Sequence, residues 1–473
     1  MNTTEKTQRF NSAFVTLVSV FFFWGFVAAS NGVFIPFCKE HFQLNQFQSQ
    51  LIDTAFYAAY FIGSLVLWLA SQYLRRDILN RIGYKKGIIY GLLISVAGAL
   101  CMIPSVHSGS FGLILSSLFL IALGFSLQQV AAQPYVVALG SPSTGAHRLT
   151  LAQGVNSFGT LTGPLLMSVM LFGGVRASSS ATIASIDQLY MVLAAVFLLA
   201  TGLLAMAKLP VIRNEGEFEP GLGALKFPQL RWGMVAIFIY VGVEVSIQSN
   251  LGALLKLPSY GGYEVSEISR YIALYWGSLM IGRWSGALSA FNMGKWTMRL
   301  LQVVVPIVAF AIILGVNYVK GNAVNDLWVY LCFVLVMILA TWYSHGKPAR
   351  MLTLFASLGV ISVLVGLMTT GRLSMFSFIS AGLWCSIGWP CIFALSISGL
   401  GNYTSQGSAF LVMMILGGAL VPLVQGWIAD HAGIHQSYWV AVVCFVYLAW
   451  FGTKVKKVLS LQGLNPDETA TSR

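Results

Sequence analysis

The sequence predicts an all-α polytopic membrane protein, and three observations carry that prediction. Fourteen apolar stretches follow one another between Ser12 and Thr453, separated by short polar breaks. Each is close to the roughly 20 helical residues that cross the hydrocarbon core of a bilayer. The chain is 57% hydrophobic and only 9% charged, whereas soluble domains carry about 25% charged residues. The stretches are continuously apolar rather than alternating, which favours helices over barrel strands.

The predicted spans divide into six in the first half of the chain and eight in the second. The first six are residues 12–36, 49–74, 87–105, 111–139, 148–173 and 187–208. The other eight are residues 231–256, 267–292, 299–318, 326–344, 350–370, 373–399, 405–428 and 436–453. Because the spans take up nearly all of the 473 residues, no soluble catalytic domain has room, and we expect no enzyme activity.

The formal net charge of +12 is a topology signal. Of the 27 Lys and Arg residues, 20 fall on the side of the N-terminus, six on the other side, and Arg283 within a span. Cytoplasmic loops carry such an excess of basic residues. We therefore expect both termini in the cytoplasm. Nucleic acid is not an expected partner, because no basic, aromatic-interleaved soluble surface is present.

Cysteine and histidine usage predicts neither a disulfide framework nor a metal site. The six cysteines are scattered, mostly inside spans, and form no C-x-x-C pair. They are typical of small buried apolar side chains. The six histidines are equally dispersed, so no metal-ligating set is assembled.

The widest break between spans, residues 209–230, predicts a cytoplasmic linker. It contains Glu215, Glu217 and Glu219 together with three prolines and several glycines. We predict an N-terminal six-helix bundle over residues 1–208 and a C-terminal bundle over residues 231–458. A cytoplasmic tail over residues 459–473 completes this domain plan.

Six spans on each side of such a linker is the plan of the major facilitator superfamily, whose two bundles alternate access to a central site. The loop over residues 80–86, Asn-Arg-Ile-Gly-Tyr-Lys-Lys, resembles the D-R-x-G-R-K-K loop of that superfamily. In this comparison Arg81 belongs to a latch that ties helix ends together; an ordinary basic loop is the alternative. The two surplus spans in the second half are assigned to an inserted helix pair at about residues 294–346.

Longer segments resemble the fucose–proton and glucose/galactose symporter family within that superfamily. Residues 21–25, 131–136 and 148–159 are similar to its F-F-x-W-G, A-A-N-P-[FY]-V and R-L-N-L-x-Q-x-x-N-S-F-G motifs. In the second half, residues 240–246 are similar to Y-V-G-x-E-V-x, and residues 390–401 to P-x-I-F-x-L-x-I-x-x-L-G. The resemblance implies a major facilitator fold, a sugar as substrate and a location in the bacterial inner membrane.

Uncharged polar side chains within the spans are candidates for sugar binding, because amides match the donors and acceptors of sugar hydroxyls. They recur at helical spacing, so that neighbours three or four residues apart share a face. The candidate amides are Asn31, Gln129, Gln133, Gln153, Asn156 and Gln248, and the candidate aromatic side chains are Trp276 and Trp389. The alternative is that buried amides join helices through hydrogen bonds.

Two acidic residues are candidates for ion coupling. Glu244 lies near the middle of the seventh span and Asp53 near the outer end of the second. An ionisable group inside a span is costly and points to function. Each acid also has a purely structural alternative to ion coupling. Glu244 could form an ion pair with Arg283 on the next span, and Asp53 could cap its helix. The resemblance implies a first-span Asp and a fourth-span Glu in proton-coupled relatives, but Gly32 and Gln129 stand here.

The sequence thus predicts a secondary active transporter that imports a hexose or deoxyhexose by cation-coupled symport, with proton favoured over sodium on family grounds. No cofactor is expected beyond the coupling ion, and we expect a monomer whose partners are the sugar and the bilayer. An uncoupled sugar facilitator is the main alternative, because the first-span acid is missing. A channel and an integral-membrane enzyme are further alternatives, although no pore-lining charge pattern or catalytic cluster favours them.

Overall fold

The computed structural model describes residues 14–29, 46–140, 144–172, 183–212, 221–263, 265–291 and 293–464. Within these ranges the chain consists of helices joined by turns, and no residue lies in a strand. The helical class that the sequence predicts is therefore the one observed.

The first half contains seven helices. They are α1 (Phe14–Ala29), α2 (Gln46–Tyr73), α3 (Ile78–Ile82), α4 (Tyr84–His107), α5 (Phe111–Ala138), α6 (Gly145–Phe172) and α7 (Ile183–Met206). Six correspond to predicted spans, while the short α3 lies inside the loop after the second span. Sequence reasoning did not predict α3, because five residues are too few to show a helical period.

The second half contains ten helices. They are α8 (Pro228–Leu255), α9 (Val265–Ala287), α10 (Lys295–Val319), α11 (Leu331–Ser344), α12 (Pro348–Met368), α13 (Gly371–Cys385), α14 (Gly388–Ile397), α15 (Thr404–Met413), α16 (Gly417–Ala432) and α17 (Trp439–Leu461). Two predicted spans are each built from two helices, α13 with α14 and α15 with α16. Among the described residues, 11 stretches are long and apolar enough to cross a membrane. The other three predicted spans are the helices α1, α6 and α9.

Local sequence explains several of the helix ends. Pro228 and Pro348 stand in the first turns of α8 and α12, where the missing N–H of proline costs nothing. Asp77 caps α3 by accepting a hydrogen bond from the Asn80 N–H at 2.9 Å. Gly83 follows α3 with φ at 87°, a left-handed conformation that suits glycine. This turn lets α4 begin at the next residue.

The described residues form two compact units. Unit 1 comprises those of Met1–Gly140, Phe158–Lys226 and Leu400–Met413, and unit 2 those of Ser141–Ser157, Phe227–Gly399 and Met414–Arg473. In unit 1, α4 packs against α5 and α7, and α2 packs against α5. In unit 2, α12 packs against α13 and α17 in the same pattern, while α9 packs against α13. Helix α8 contacts α14, α16 and α17.

The predicted inserted pair corresponds to α10 and α11. These helices contact α9 and α12, and α12 still makes the contacts with α13 and α17 that α4 makes with α5 and α7. Arg270 of α9 forms an ion pair at 3.5 Å with Asp326, just before α11. The Tyr271 hydroxyl also donates a hydrogen bond to Asp326. The pair is thus attached beside the repeated helix pattern of unit 2 rather than inserted into it.

Candidate polar site

A buried ion pair lies at the centre of the polar cluster of unit 2. Arg283 on α9 donates from Nη2 to Glu244 Oε1 at 3.1 Å and to the Tyr240 hydroxyl at 3.2 Å. Tyr240 and Glu244 are four residues apart on α8 and therefore share a face. The side chains of Arg283 and Glu244 are only 6% and 12% exposed. The structural alternative for Glu244 considered from the sequence, an ion pair with Arg283, is present.

Arg283 also contacts two further helical segments of unit 2. Its Nη1 donates to Ser157 Oγ on α6 at 2.7 Å, and its Nε donates to the Ser386 carbonyl at 3.1 Å. Ser386 lies in the break between α13 and α14. Its carbonyl has no helical donor four residues on, because that residue is Pro390. Arg283 supplies the donor that the proline lacks.

Aromatic side chains surround the ion pair. The Tyr275 hydroxyl donates to the backbone carbonyl of Glu244 at 2.7 Å. The ring of Trp389 on α14 lies 6.5 Å from that of Tyr240. Trp284 donates from Nε1 to the Gly154 carbonyl at 3.1 Å, which ties α9 to the first part of α6. Because the two charged side chains are largely removed from solvent, each electrostatic contact between them is stronger than it would be in water.

Four other predicted site residues belong to unit 2. Gln153 is 7% exposed, and Asn156 is half-buried beside Ser157 on α6. Gln248 is half-buried on α8, one turn beyond Glu244. Trp276 is half-buried on α9, its ring 5.8 Å from that of Tyr275.

Two predicted amides of unit 1 bind each other. Gln133 is fully buried and donates from Nε2 to Gln129 Oε1 at 2.9 Å. The Tyr60 hydroxyl on α2 also hydrogen-bonds with Gln129. The shared helix face was predicted from their spacing of four residues, whereas their mutual hydrogen bond was not.

A neighbouring glutamine that sequence reasoning passed over has a clear structural role in unit 1. Gln128 is fully buried, accepts a hydrogen bond from Trp24 Nε1 at 2.9 Å and donates to Ser95 Oγ at 3.1 Å. This chain of contacts joins α1, α5 and α4. Trp24 is only 2% exposed, so its ring is a packing element of the unit.

The structure describes no side-chain contacts at three positions that the sequence analysis discussed. Asn31 and Gly32 lie outside the described residues, and the side chain of Asp53 is not described. Residues 213–220 of the predicted linker and 465–473 of the predicted tail also lie outside the described residues. The proposals for these positions stay predictions.

Arg81 lies in the loop that resembles the superfamily motif. Its side chain is exposed and lines a cavity of about 360 Å³ in unit 1. Nearby, burial raises the pKa of the Asp77 carboxyl, although the hydrogen bond from Asn80 opposes this rise. Lys85 donates to the carbonyls of Ala205 and Ala207, both at 2.8 Å. A basic residue of the loop therefore ties α4 to the carboxyl end of α7, where a cation is favourable.

The cluster of unit 2 contains an ionisable carboxylate, a guanidinium group and several hydrogen-bonding side chains on helices that we predict to span the membrane. Such buried ionisable groups on spanning helices are typical of carriers rather than of structural membrane proteins. The class defined by the fold and the cluster is therefore a polytopic transporter.

The comparisons with known proteins give the family. The profile of the Major Facilitator Superfamily matches residues 14–346. A glucose/galactose transporter of Brucella abortus is 34% identical over 459 residues, which cover 95% of each chain. The L-fucose-proton symporter of Escherichia coli is 27% identical and covers 93% of this chain and 92% of its own. The chain belongs to the Major Facilitator Superfamily.

The same fold is found in solved structures. A crystal structure of the superfamily transporter FucP in the outward conformation covers 93% of this chain and 98% of its own. Its TM-score is 0.72 at 25% sequence identity. The predicted fold class and the resemblance to the fucose–proton and glucose/galactose symporters are confirmed. The protein is a transporter and not an enzyme.

Proposed function

We propose that the protein imports a monosaccharide by cation-coupled symport with alternating access, and that the coupled cation is a proton. The relatives support a sugar as substrate, since they are named for glucose, galactose and fucose. The proton is favoured because the fucose relative is named a proton symporter.

The observation that carries the proposal is the buried Glu244–Arg283 pair at 3.1 Å. Protonation of Glu244 removes the charge attraction and leaves Arg283 bonded to the Tyr240 hydroxyl, to Ser157 and to the Ser386 carbonyl. Helix α8 is then held to α9 less strongly. A proton that binds Glu244 from one side of the membrane and leaves to the other supplies the coupling.

We assign sugar contacts in unit 2 to Gln153, Asn156 and Gln248, with Trp389 against the apolar face of the sugar. Amides both donate and accept and so match hydroxyl groups. Trp276 belongs to the same proposed set. Asn31, Gln129 and Gln133 stay predictions as sugar contacts, and Asp53 stays a prediction for coupling.

The proposal extends to location and organisation. We place the protein in a bacterial inner membrane with both termini in the cytoplasm, as the distribution of basic residues predicts. We also propose that the protein is a monomer and that residues 209–230 form a linker. Arg81 and Arg283 are the proposed latch residues, which hold helices together.

An uncoupled sugar facilitator is the second candidate. In unit 1 the fourth-span position that is acidic in proton-coupled relatives carries Gln129, whose amide is hydrogen-bonded to Gln133 and Tyr60. An amide cannot titrate, so coupling must then rest on another residue or be absent.

Uptake by proteoliposomes distinguishes these functions. Radiolabelled D-glucose, D-galactose and L-fucose are supplied in turn, with inward proton and sodium gradients imposed separately. The proposal predicts that at least one sugar accumulates above its external concentration with the proton gradient alone. Accumulation with sodium alone would move the coupling to sodium, and equilibration without accumulation would favour the facilitator. Failure to take up any sugar would contradict the substrate class.

A further inference from the structure

A groove outside the polar cluster runs along unit 2 where α11, α12 and α17 meet. It is open to the surroundings and has a volume of about 810 Å³, within the roughly 300–1,000 Å³ of small-molecule sites. Its floor is the contact between α12 and α17, where Gly452 lies against Thr353. A Cβ on Gly452 would clash with Thr353 Oγ1, so only glycine lets the two helices approach this closely.

The end of the groove is strongly basic. Arg350 at the start of α12 and Lys456 and Lys457 near the end of α17 line it. The two lysines are exposed and Arg350 is half-buried. None of the described residues that line the groove is acidic. The amino end of α12 lies beside the carboxyl end of α17. All three cations are therefore at the membrane surface that we predict to be cytoplasmic.

The rest of the groove is suited to hydrocarbon. Leu354 of α12 and Leu461 of α17 contribute apolar surface, and Tyr343 of α11 forms a wall. The hydroxyls of Thr353 and Ser357 already donate to carbonyls of α12, at 3.0 and 2.8 Å. Cationic groups for an anion stand at the cytoplasmic end, where Arg350 and Lys457 line the groove.

We propose that this groove binds an anionic glycerophospholipid of the cytoplasmic leaflet. Its phosphate lies among Arg350, Lys456 and Lys457, and an acyl chain follows the apolar part between α12 and α17. Basic pockets between spanning helices on this side of a membrane suit such headgroups. A free phosphate ion accounts for the basic end only, whereas a phospholipid matches both the charge and the apolar part.

The proposal assigns a role to the inserted helix pair. Tyr343 belongs to α11, the second helix of that pair, and supplies the wall that faces α12 and α17. The extra pair thus contributes one aromatic side chain to the proposed lipid site.

Native mass spectrometry of the detergent-purified full chain, titrated with phosphatidylglycerol, tests the proposal. A basic residue near an anionic surface changes affinity about fivefold. Arg350→Ala with Lys457→Ala should therefore bind phosphatidylglycerol about 30-fold more weakly than the unchanged protein. Lys454→Ala is the matched control, because this exposed cation on α17 does not line the groove, and it should bind within twofold of the unchanged protein.

A second variant separates charge from folding. Arg350→Lys with Lys457→Arg keeps both charges and should retain most of the binding even if the alanine variant is unstable. Equal binding of phosphatidylcholine by the unchanged protein would overturn the proposal. So would unaltered binding by a folded alanine variant, or displacement of the lipid by millimolar inorganic phosphate alone.

Discussion

In the proposed function, the buried pair of Glu244 and Arg283 does more than hold two helices together. Replacing a buried ion pair with apolar residues often stabilises a protein, so such a pair is weak evidence for stability. This pair lies between two spanning helices, with side chains only 12% and 6% exposed. The proposed function accounts for this cost, because in it the charge of Glu244 changes during each transport cycle.

Glu244→Gln should abolish uphill accumulation of the sugar while leaving exchange measurable. The glutamine still accepts a hydrogen bond from Arg283 but cannot bind and release a proton. The accumulation ratio in proteoliposomes with an inward proton gradient should fall to about one. Counterflow of labelled against unlabelled sugar should stay within about tenfold of the unchanged protein.

Asp430→Asn is the control for this change, because Asp430 is an exposed carboxylate at the end of α16. It should accumulate sugar normally. Full accumulation by Glu244→Gln would remove that residue from the coupling mechanism.

Gln153→Ala should weaken sugar binding itself. The loss of one neutral hydrogen bond costs about 0.5–1.5 kcal/mol, which corresponds to roughly 2- to 13-fold weaker affinity. Equilibrium binding to the purified protein measures this change. Gln436→Ala removes an exposed amide of unit 2 and should leave affinity unaltered. Unchanged affinity of the Gln153 variant would place the sugar elsewhere.

Two proline-containing helices follow the same rule in the two units. Pro134 in α5 has no N–H, so the Val130 carbonyl lacks its helical donor, and Ser408 Oγ donates to it at 2.9 Å. Pro390 leaves the Ser386 carbonyl to Arg283 in the same way. Polar side chains therefore satisfy carbonyls that would otherwise be orphaned in an apolar interior.

A double-mutant cycle in unit 1 tests this rule. Ser408→Ala should destabilise the protein by roughly 1 kcal/mol, because the Val130 carbonyl is left without a donor. With Pro134→Ala in place, the new N–H can serve that carbonyl, and the cost of Ser408→Ala should fall by at least about 0.5 kcal/mol. Reversible unfolding in detergent and denaturant measures both values.

The control for the cycle is Ser396→Ala. Ser396 is also fully buried, but its hydroxyl donates to the Ile392 carbonyl of its own helix at 2.6 Å. Its cost should be the same with or without Pro134→Ala. Equal costs for Ser408→Ala in both backgrounds would contradict the rule.

The positions of the spanning helices were predictable, because each one coincides with an apolar stretch of about 20 residues. The span predicted at residues 111–139 is α5 (Phe111–Ala138), and that at residues 350–370 is α12 (Pro348–Met368). The break between α13 and α14 was not predictable as such. It depends on Arg283, which lies about 100 residues away in sequence from the carbonyl that it binds. The proline was the only local signal.

Contacts between side chains were predictable only in part, for the same reason. Helical spacing put Gln129 and Gln133 on one face, but it did not show that they bind each other. The Glu244–Arg283 pair was foreseeable because few charges occur inside spans. Ser157 and Tyr275 carried no comparable signal, since single hydroxyl groups are common in apolar helices.

The molecule as a whole combines a repeated helix pattern with an addition to it. Helices α4 and α12 make equivalent contacts within their own units, and α10 with α11 lies beside that pattern. The addition was detectable from an even number of surplus spans, which preserves the orientation of everything downstream. The lipid-binding role that we propose for it was not detectable, because the groove depends on residues of α11, α12 and α17 that are far apart in sequence.

Sugar-driven proton movement is the most direct measurement of the proposed function. Proteoliposomes with a pH-sensitive dye in the lumen and no imposed gradient receive a saturating external concentration of a transported sugar. We predict rapid acidification of the lumen that a protonophore collapses and that Glu244→Gln lacks. Entry of the labelled sugar at an unchanged lumenal pH would contradict proton symport.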